Sequence, residues 1–475
     1  MTLTHSQCER ARLARDHRFD GRFFTAVKTT GIYCRPVCPA PAPKSANVEY
    51  FANAAAAAKA GYRPCLRCRP ESAPFSPAWR GTETTVARAL SLIHAGEPMP
   101  SLTAFAERLG VSDRHLRRLF DKHLGVSPLA YALNHRLLFA KQLLTESRLP
   151  VLAVAQACGF RSRRRFNDAF QRQFSLTPSD IRRRADVSGS GCRVQLRFRP
   201  PFDWQALLAF LRTRALPGVE RVEADRYCRA IQLGQQRGWF ELSPDLEHCR
   251  LNLTIHCDDP RCLRALVQRV REVFDLDTDP QSLWQAFAND PDLGPIWRRH
   301  PGLRLPGIWS EFEAVVRAIV GQQISVKGAR TILSRLCERF GEPLPGASGL
   351  SRTFPSPAQL ADADLTGVGL TATRARWLQG IARSYTEGFE AGHGELPTRV
   401  QRLQTLTGIG DWTAQYVCMR GLQESDGFPA SDLGLYHALK LEKGSPAQTR
   451  VRAESWRPWR AYAVMALWQS LGEST

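Results

Sequence analysis

Three Pro- and Gly-rich interruptions decide what this chain can fold into: Pro70 to Pro77 with three prolines, Arg182 to Gly191 ending in Ser-Gly-Ser-Gly, and Pro291 to Pro306. Proline lacks a backbone donor and glycine costs entropy to order, so regular structure stops at each of them. At 475 residues the chain also exceeds what one hydrophobic core usually organises. The sequence therefore predicts four domains, at 1–78, 80–185, 192–290 and 291–475. The first is loop-rich. The second reads as successive short amphipathic helices with Gly and Pro punctuation. In the third, strand-like runs such as Cys192–Phe198 and Cys249–Ile255 alternate with helical patterns at Asp203–Arg214 and Arg261–Phe274. The last is almost entirely helical.

Formal net charge is +20, of which +7 falls on residues 1–79, +9 on 80–186 and +4 on the remainder. A basic field concentrated at the front, on a chain with helical periodicity, points to nucleic acid rather than a membrane surface. The opening MTLTHSQCERARLAR has no apolar core for a signal peptide, and no run approaches about 18 apolar residues, so a cytoplasmic location is expected. Thirteen cysteines in such a reducing compartment are thiols or metal ligands before they are disulfides.

Four of them have metal-type spacing. Three residues separate Cys34 from Cys38, two separate Cys65 from Cys68, and 26 lie between the pairs. Each short loop can turn two sulfurs toward one tetrahedral Zn2+ at about 2.3 Å, and a purely structural zinc would use the same spacing. The surrounding text, TTGIYCRPVCPA and GYRPCLRCRP, resembles the N-terminal domain of the Ada family over about residues 5–75. That resemblance implies that Cys34, Cys38, Cys65 and Cys68 bind zinc and that Cys34 also accepts a methyl group from a DNA methylphosphotriester. A metal-held thiolate is the nucleophile such a transfer needs. Methylation would remove one negative charge from a site flanked by Arg35, Arg63, Arg67 and Arg69, and so favour DNA binding.

The run SLTAFAERLGVS at Ser101–Ser112 reads as a capped helix and a Gly-containing turn, followed by a second helix at Asp113–His123: a helix-turn-helix. A second copy follows in Leu152–Gly159 and Ser162–Phe174, closing in LTPSDI. The pair resembles the AraC-family DNA-binding domain over roughly residues 85–184. This implies that each second helix enters the major groove, presenting Ser112, Arg114, His115 and Arg118 from one and Arg161, Ser162, Arg163 and Arg165 from the other. Any one of these arginines could instead hold a phosphate or face solvent. Two motifs in one chain allow binding as a monomer, and an activator of this kind implies RNA polymerase as a partner.

In LQTLTGIGDWTA, Leu403–Ala414, a helix ends in a Gly-x-Gly turn and another opens directly after it. Such a hairpin brings the backbone at Gly408 and Gly410 close to a DNA phosphate. Asp432 lies 22 residues after Gly410, a spacing that fits the helix-hairpin-helix glycosylase superfamily. PPFDW at Pro200–Trp204, PGLRLPG at Pro301–Gly307, GQQISV at Gly321–Val326 and WRPWRAY at Trp456–Tyr462 then resemble the 3-methyladenine DNA glycosylase II family, AlkA, over about residues 192–472. The resemblance implies a catalytic Asp432 and an aromatic base-binding wall of Trp412, Tyr416 and Trp468. Asp432 equally suits an N-cap, because Leu433, Leu435, Tyr436, Ala438 and Leu439 form an apolar helical pattern behind it. Trp412 stands where strand-cutting members carry a lysine, so base removal without lyase activity is expected. Gln323 stands where the family usually has an apolar wedge. Pro-Cys-His-Arg, the acceptor motif of O6-methylguanine methyltransferases, does not occur, and no repair of that lesion is expected.

The expected fold class is thus multidomain and mainly α: a small zinc-bound α/β domain, an AraC-type double helix-turn-helix, an α+β domain, and an all-α helix-hairpin-helix domain. The expected function is DNA alkylation repair joined to damage-responsive transcription, with damaged double-stranded DNA and promoter sites as partners. Two other readings use the same residues: a glycosylase whose front half only recruits it to DNA, and a regulator carrying an inactive glycosylase fold.

Overall fold

The computed structural model describes residues 4–15, 19, 23–36, 38, 40–51, 57, 60–65, 68, 82–94, 96, 99, 101–184, 192–234, 236–344, 349–392, 395–441 and 445–473. The expected break at Pro70–Pro77 and most of that at Arg182–Gly191 fall outside them. The chain divides into two compact units, one ending at Ala132 and one beginning at Leu133.

The first unit opens with α1 (His5–Leu13), started by a reciprocal cap between Thr4 and Gln7. A four-stranded sheet follows, ordered β3-β1-β2-β4, from β1 (Phe24–Val27), β2 (Ile32–Cys34), β3 (Val48–Phe51) and β4 (Arg63–Pro64). Its pairs are antiparallel except β2 with β4, which run parallel. The core beneath this sheet is small, built on Phe24, Ala26, Tyr33 and Ala57. A separate core holds α2 (Thr82–His94), α3 (Leu102–Arg108) and α4 (Asp113–Leu124) through Val86, Leu92, Phe105, Leu116 and Phe120. Ser101 and Ser112 accept from the third backbone N–H of their helices, which is why α3 and α4 begin where the sequence places them. The division between the units falls in the first turns of α5 (Pro128–Glu146).

The second unit begins with the rest of α5, α6 (Val151–Ala157), α7 (Arg163–Phe174, capped by Ser162) and α8 (Pro178–Arg184). Next come β5 (Cys192–Arg197), α9 (Trp204–Arg212), β6 (Glu220–Glu223), β7 (Arg226–Leu233), β8 (Gln236–Asp245), β9 (Arg250–Cys257) and α10 (Leu263–Val273). The five strands form an antiparallel sheet ordered β5-β9-β8-β7-β6. Alternation along β5 turns Val194 and Leu196 inward, against α9 and α10. Leu137, Leu143, Phe166 and Phe170 of the second helix-turn-helix belong to this same core. Gln142 Nε2 donates to Gln195 O at 2.9 Å, and Gln195 N donates to Glu146 at 2.7 Å, tying α5 to β5.

The remaining chain is helical, as its periodicity predicts: α11 (Pro280–Phe287), α12 (Gly294–Arg299), α13 (Glu311–Gly321), α14 (Val326–Phe340), α15 (Pro357–Ala361), α16 (Ala372–Thr386), α17 (Leu396–Gln404), α18 (Asp411–Gly421), α19 (Leu433–Ala438), α20 (Pro446–Ala453) and α21 (Arg460–Glu473). α13 is apolar on nearly every side and is accordingly buried, from Phe312 to Val320, among α14, α16, α17 and α18. Its Glu313 is 1% exposed and is matched by Arg229 and Arg317, which also pair with the buried Glu220. Charges so far from water persist only because each has a partner. α19 and α21 pack with α11 and α12 around Leu283, Trp297, Trp456 and Leu467. The fold class read from the sequence therefore holds, a mainly α multidomain chain with two small sheets among the described residues.

Candidate metal centre and base pocket

Cys34 ends β2 and Cys65 follows β4, so the parallel pairing of these strands sets the two side by side; Cys65 N donates to Tyr33 O at 3.0 Å. A turn brings Cys38 back, its N–H on Arg35 O at 3.1 Å. Cys68 completes the group by accepting from Arg35 N at 3.3 Å. All four sulfurs lie within 4.8 Å of one another, with Cys38 and Cys65 at 3.9 Å. Bonds of 2.3 Å to one tetrahedral ion require sulfurs about 3.8 Å apart, and the cluster fits that requirement. The thiols also perturb each other: hydrogen bonding to Cys38 drives Cys34 up, and the same bond draws Cys38 down to about 2. Four sulfurs so placed could hold one zinc ion between them. Arg35 stays beside it through its Nη1 contact with Cys68 O at 3.5 Å. Arg67, Arg69 and the side chain of Arg63 lie outside the described residues.

On α4, Arg114 and Arg118 are exposed, and Arg118 donates to His115 Nδ1 at 3.0 Å. On α7, Arg163 and Arg165 are exposed, as is Arg161 just before it. The two recognition helices therefore turn their basic residues outward and their apolar ones, Leu116 and Phe120 or Phe166 and Phe170, inward.

In the second unit a cavity of about 1250 Å3 gathers Trp412, Tyr416, Asp432 and Trp468, from α18, the start of α19 and α21. Asp432 caps α19, accepting from Leu435 N at 3.2 Å, so the capping role weighed from the sequence is real. The same carboxylate accepts from Trp468 Nε1 on Oδ1 at 2.9 Å and from Trp412 Nε1 on Oδ2 at 3.1 Å. Both oxygens are thus fixed by indoles whose rings line the cavity. Trp412 stacks on Tyr416 at 5.3 Å and 18°. Phe210, from α9, lies nearly parallel to Trp468 at 6.4 Å and 12°.

The hairpin turn depends on Gly408, whose φ is +91° and whose missing Cβ would stand 2.6 Å from the Trp377 ring. Gly410 precedes α18 and, having no side chain, gives the first N–H groups of that helix no side-chain cap. Gln322 links this turn to the loop after α13 by donating to Gly408 O and Thr413 Oγ1, both at 3.0 Å. Gln323 follows with a left-handed φ of +57°, and the next residue, Ile324, is an exposed apolar side chain. Sequence reasoning missed Gln322, Phe210 and Gly434. A Cβ on Gly434 would crowd Asp432 Oδ1 at 3.0 Å and Trp468 at 3.1 Å.

Together these features define a DNA-repair protein with a thiolate metal centre, paired helix-turn-helix motifs and a helix-hairpin-helix base pocket. Family profiles agree: the metal binding domain of Ada matches residues 7–71, a helix-turn-helix domain 105–184, the AlkA N-terminal domain 193–310, and the HhH-GPD superfamily of base excision DNA repair proteins 316–461. The chain is 39% identical over 480 residues to a probable bifunctional transcriptional activator/DNA repair enzyme AlkA of Mycobacterium tuberculosis, covering 98% of this chain and 96% of that one. It belongs to this family of bifunctional transcriptional activator/DNA repair enzymes. It is also 34% identical over 282 residues to DNA-3-methyladenine glycosylase 2 of Escherichia coli, which covers 58% of this chain and 97% of the relative. A solved 3-methyladenine DNA-glycosylase from Archaeoglobus fulgidus shares the fold, with a TM-score of 0.51 at 24% identity over 58% of this chain and 96% of its own.

Proposed function

We propose that this protein excises alkylated bases such as 3-methyladenine from double-stranded DNA, and that its first unit takes a methyl group from a DNA methylphosphotriester onto Cys34 to switch on transcription. The observation that carries the excision reading is the hold on Asp432: two indole N–H groups and a backbone N–H aim its carboxylate in a cavity wide enough for a base.

A base inside duplex DNA is out of reach, so it must be flipped out at a cost of a few kcal/mol. Ring-alkylated purines are cationic, and the faces of Trp412, Tyr416 and Trp468 attract them by about 0.5–2 kcal/mol each. Asp432 then stabilises positive charge developing on the deoxyribose and takes the proton of the attacking water. Gly408 and Gly410 hold the backbone, and the Gln323–Ile324 tip enters the gap left by the flipped nucleotide. With Trp412 in place of a lysine, the reaction ends at base removal.

At the other centre, zinc when bound keeps sulfur as thiolate at neutral pH. Cys34 Sγ attacks the methyl carbon, an S–C bond forms, the C–O bond breaks, and the DNA leaves as an ordinary phosphodiester. Cys38, Cys65 and Cys68 remain ligands. The loss of one negative charge then strengthens promoter binding by Arg114, Arg118, Arg163 and Arg165. The protein acts as a monomer in the cytoplasm and engages RNA polymerase at its promoters. No helix among the described residues is long and apolar enough to cross a membrane. The proposed domains are 1–78, 80–185, 192–290 and 291–475.

Base release from methylated duplex DNA, compared between wild type and Asp432→Asn, tests the excision reading; equal rates would sink it. Incubation with a methylphosphotriester duplex followed by peptide mass mapping tests the other, which requires one methyl on Cys34 and none after Cys34→Ser.

A further inference from the structure

β9 ends at Cys257, and the chain turns back through Asp258 and Asp259 into a 3-10 turn at Pro260–Cys262 before α10 begins. Asp259 caps that turn, accepting from Arg261 N at 2.9 Å, and its backbone oxygen accepts from Cys262 N at 3.2 Å. The reversal returns Cys262 to the end of the strand, where its sulfur stands 2.8 Å from that of Cys257. In the metal cluster Cys38 and Cys65 lie 3.9 Å apart, which leaves room for one ion bonded to both. The second pair is too close for that, since two ligands of a tetrahedral zinc stand about 3.8 Å apart. It is instead a small movement short of the ~2.05 Å of a covalent S–S bond. Both thiols are half-buried, so neither is sealed from a small oxidant. Hydrogen bonding from Cys262 draws Cys257 down to about 7, and the same contact drives Cys262 up. At neutral pH one sulfur is thus partly thiolate, with a thiol poised beside it.

The turn also supports a neighbour. α6, the first helix of the second helix-turn-helix, packs on Pro260–Cys262. Just beyond it, Arg264 Nη2 lies 3.1 Å from His135 Nδ1 on α5. We propose that Cys257 and Cys262 are a redox site: a hydroperoxide joins them in a disulfide that fixes the turn beneath α6, and a dithiol reductant opens it again. The Cys257 thiolate attacks one peroxide oxygen; an S–O bond forms, the O–O bond breaks, and the other oxygen takes a proton and leaves as water or an alcohol. Cys262 Sγ then attacks the sulfenic sulfur. An S–S bond forms, the S–O bond breaks, and the hydroxide leaves with the Cys262 proton as water. Each sulfur has given one electron, and the peroxide has taken both. Reduction returns the two electrons from the dithiol by thiol–disulfide exchange. Neither cysteine lines the base cavity, so excision does not depend on the state of the pair.

Trypsin cuts after Arg250, Arg261 and Arg264, so the two cysteines fall in separate peptides, 251–261 and 262–264, which stay together only through a disulfide. Full-length protein carrying zinc is treated with one equivalent of hydrogen peroxide, its remaining thiols are blocked, and the peptides are mapped by mass. The expected product is the joined pair, two hydrogens lighter than its halves, at least about tenfold above untreated protein and lost on adding dithiothreitol. In Cys262→Ala, dimedone should trap a sulfenic acid on Cys257. Cys249 is half-buried too and makes no sulfur contact among the described residues, so it serves as the internal control and should stay a thiol. Amide exchange over 151–157 and 258–263 should slow about threefold on oxidation, and serine at either Cys257 or Cys262 should abolish that slowing, while base release stays within about twofold. Because the serine variants keep every zinc ligand, they separate this effect from oxidation at the metal. Absence of the joined peptide overturns the proposal, as does oxidation of Cys249 at the same rate. Exchange over α6 that ignores the oxidant, or that slows equally in the serine variants, overturns the link to the helix-turn-helix.

Discussion

The sulfur cluster and the base cavity hold their reactive groups in opposite ways. Cys34, Cys38, Cys65 and Cys68 hang from two short strands and their turns, over a core built on Phe24, Ala26, Tyr33 and Ala57. Among the described residues, that core and the small cluster of Cys8, Ala11 and Phe23 bury few side chains for so much loop, so a bound metal would add a large share of the stability. Asp432 instead stands where one large core, centred on the buried α13, meets another beneath α21. There the fold makes the site; in the sulfur cluster the site makes the fold.

The strongest way to break this contrast is to remove the metal. A structural zinc contributes about 10–16 kcal/mol, so chelation, or Cys65→Ala, should abolish hydrogen-exchange protection around β1 and β2, while single-turnover base release stays within about threefold. Loss of both together would show that the two sites depend on each other. Asp432→Asn should cost about 10³-fold in base release, ~4 kcal/mol, yet change stability by less than about 1 kcal/mol, because asparagine still caps α19. Thermal melting beside the kinetics checks it. Phe166→Ala, in the second helix-turn-helix, should destabilise the body that carries β5 to β9 by about 3–5 kcal/mol, since Phe166 is fully buried in that sheet's core. Denaturant unfolding measures this, and a loss confined to α7 would refute it. The smallest effect is that of Trp468→Phe. It keeps a ring but takes one donor from Asp432, and should slow release about tenfold, ~1.4 kcal/mol.

What the sequence disclosed was local chemistry. The cysteine spacings, the serines before α3, α4 and α7, and the Gly-x-Gly turn each act over a few residues, so text and structure agree on them. Boundaries moved slightly where a turn intervened: the helix expected from Arg261 starts at Leu263, behind a 3-10 turn at Pro260–Cys262. β7 gave little signal because it is buried along most of its length, with Leu344 and Leu350 packed against Cys228 and Ala230; the two-residue period never shows. Phe210 and Arg214 were illegible for another reason. Phe210 meets Trp468 from α9 and Arg214 lines the cavity from just beyond that helix, both more than 200 residues before Asp432, and nothing near them in the chain marks them as belonging to it. The indoles of Trp412 and Trp468 were read as flat walls for a base, whereas their edges also orient the carboxylate.

The second helix-turn-helix owns no interior of its own: Leu143, Phe166 and Phe170 share theirs with the sheet that begins at Cys192. Damage to that reading head is therefore inherited by the excision machinery, which loses part of its floor. Natural selection acting on repair alone would in this way keep watch over residues of the helix-turn-helix as well.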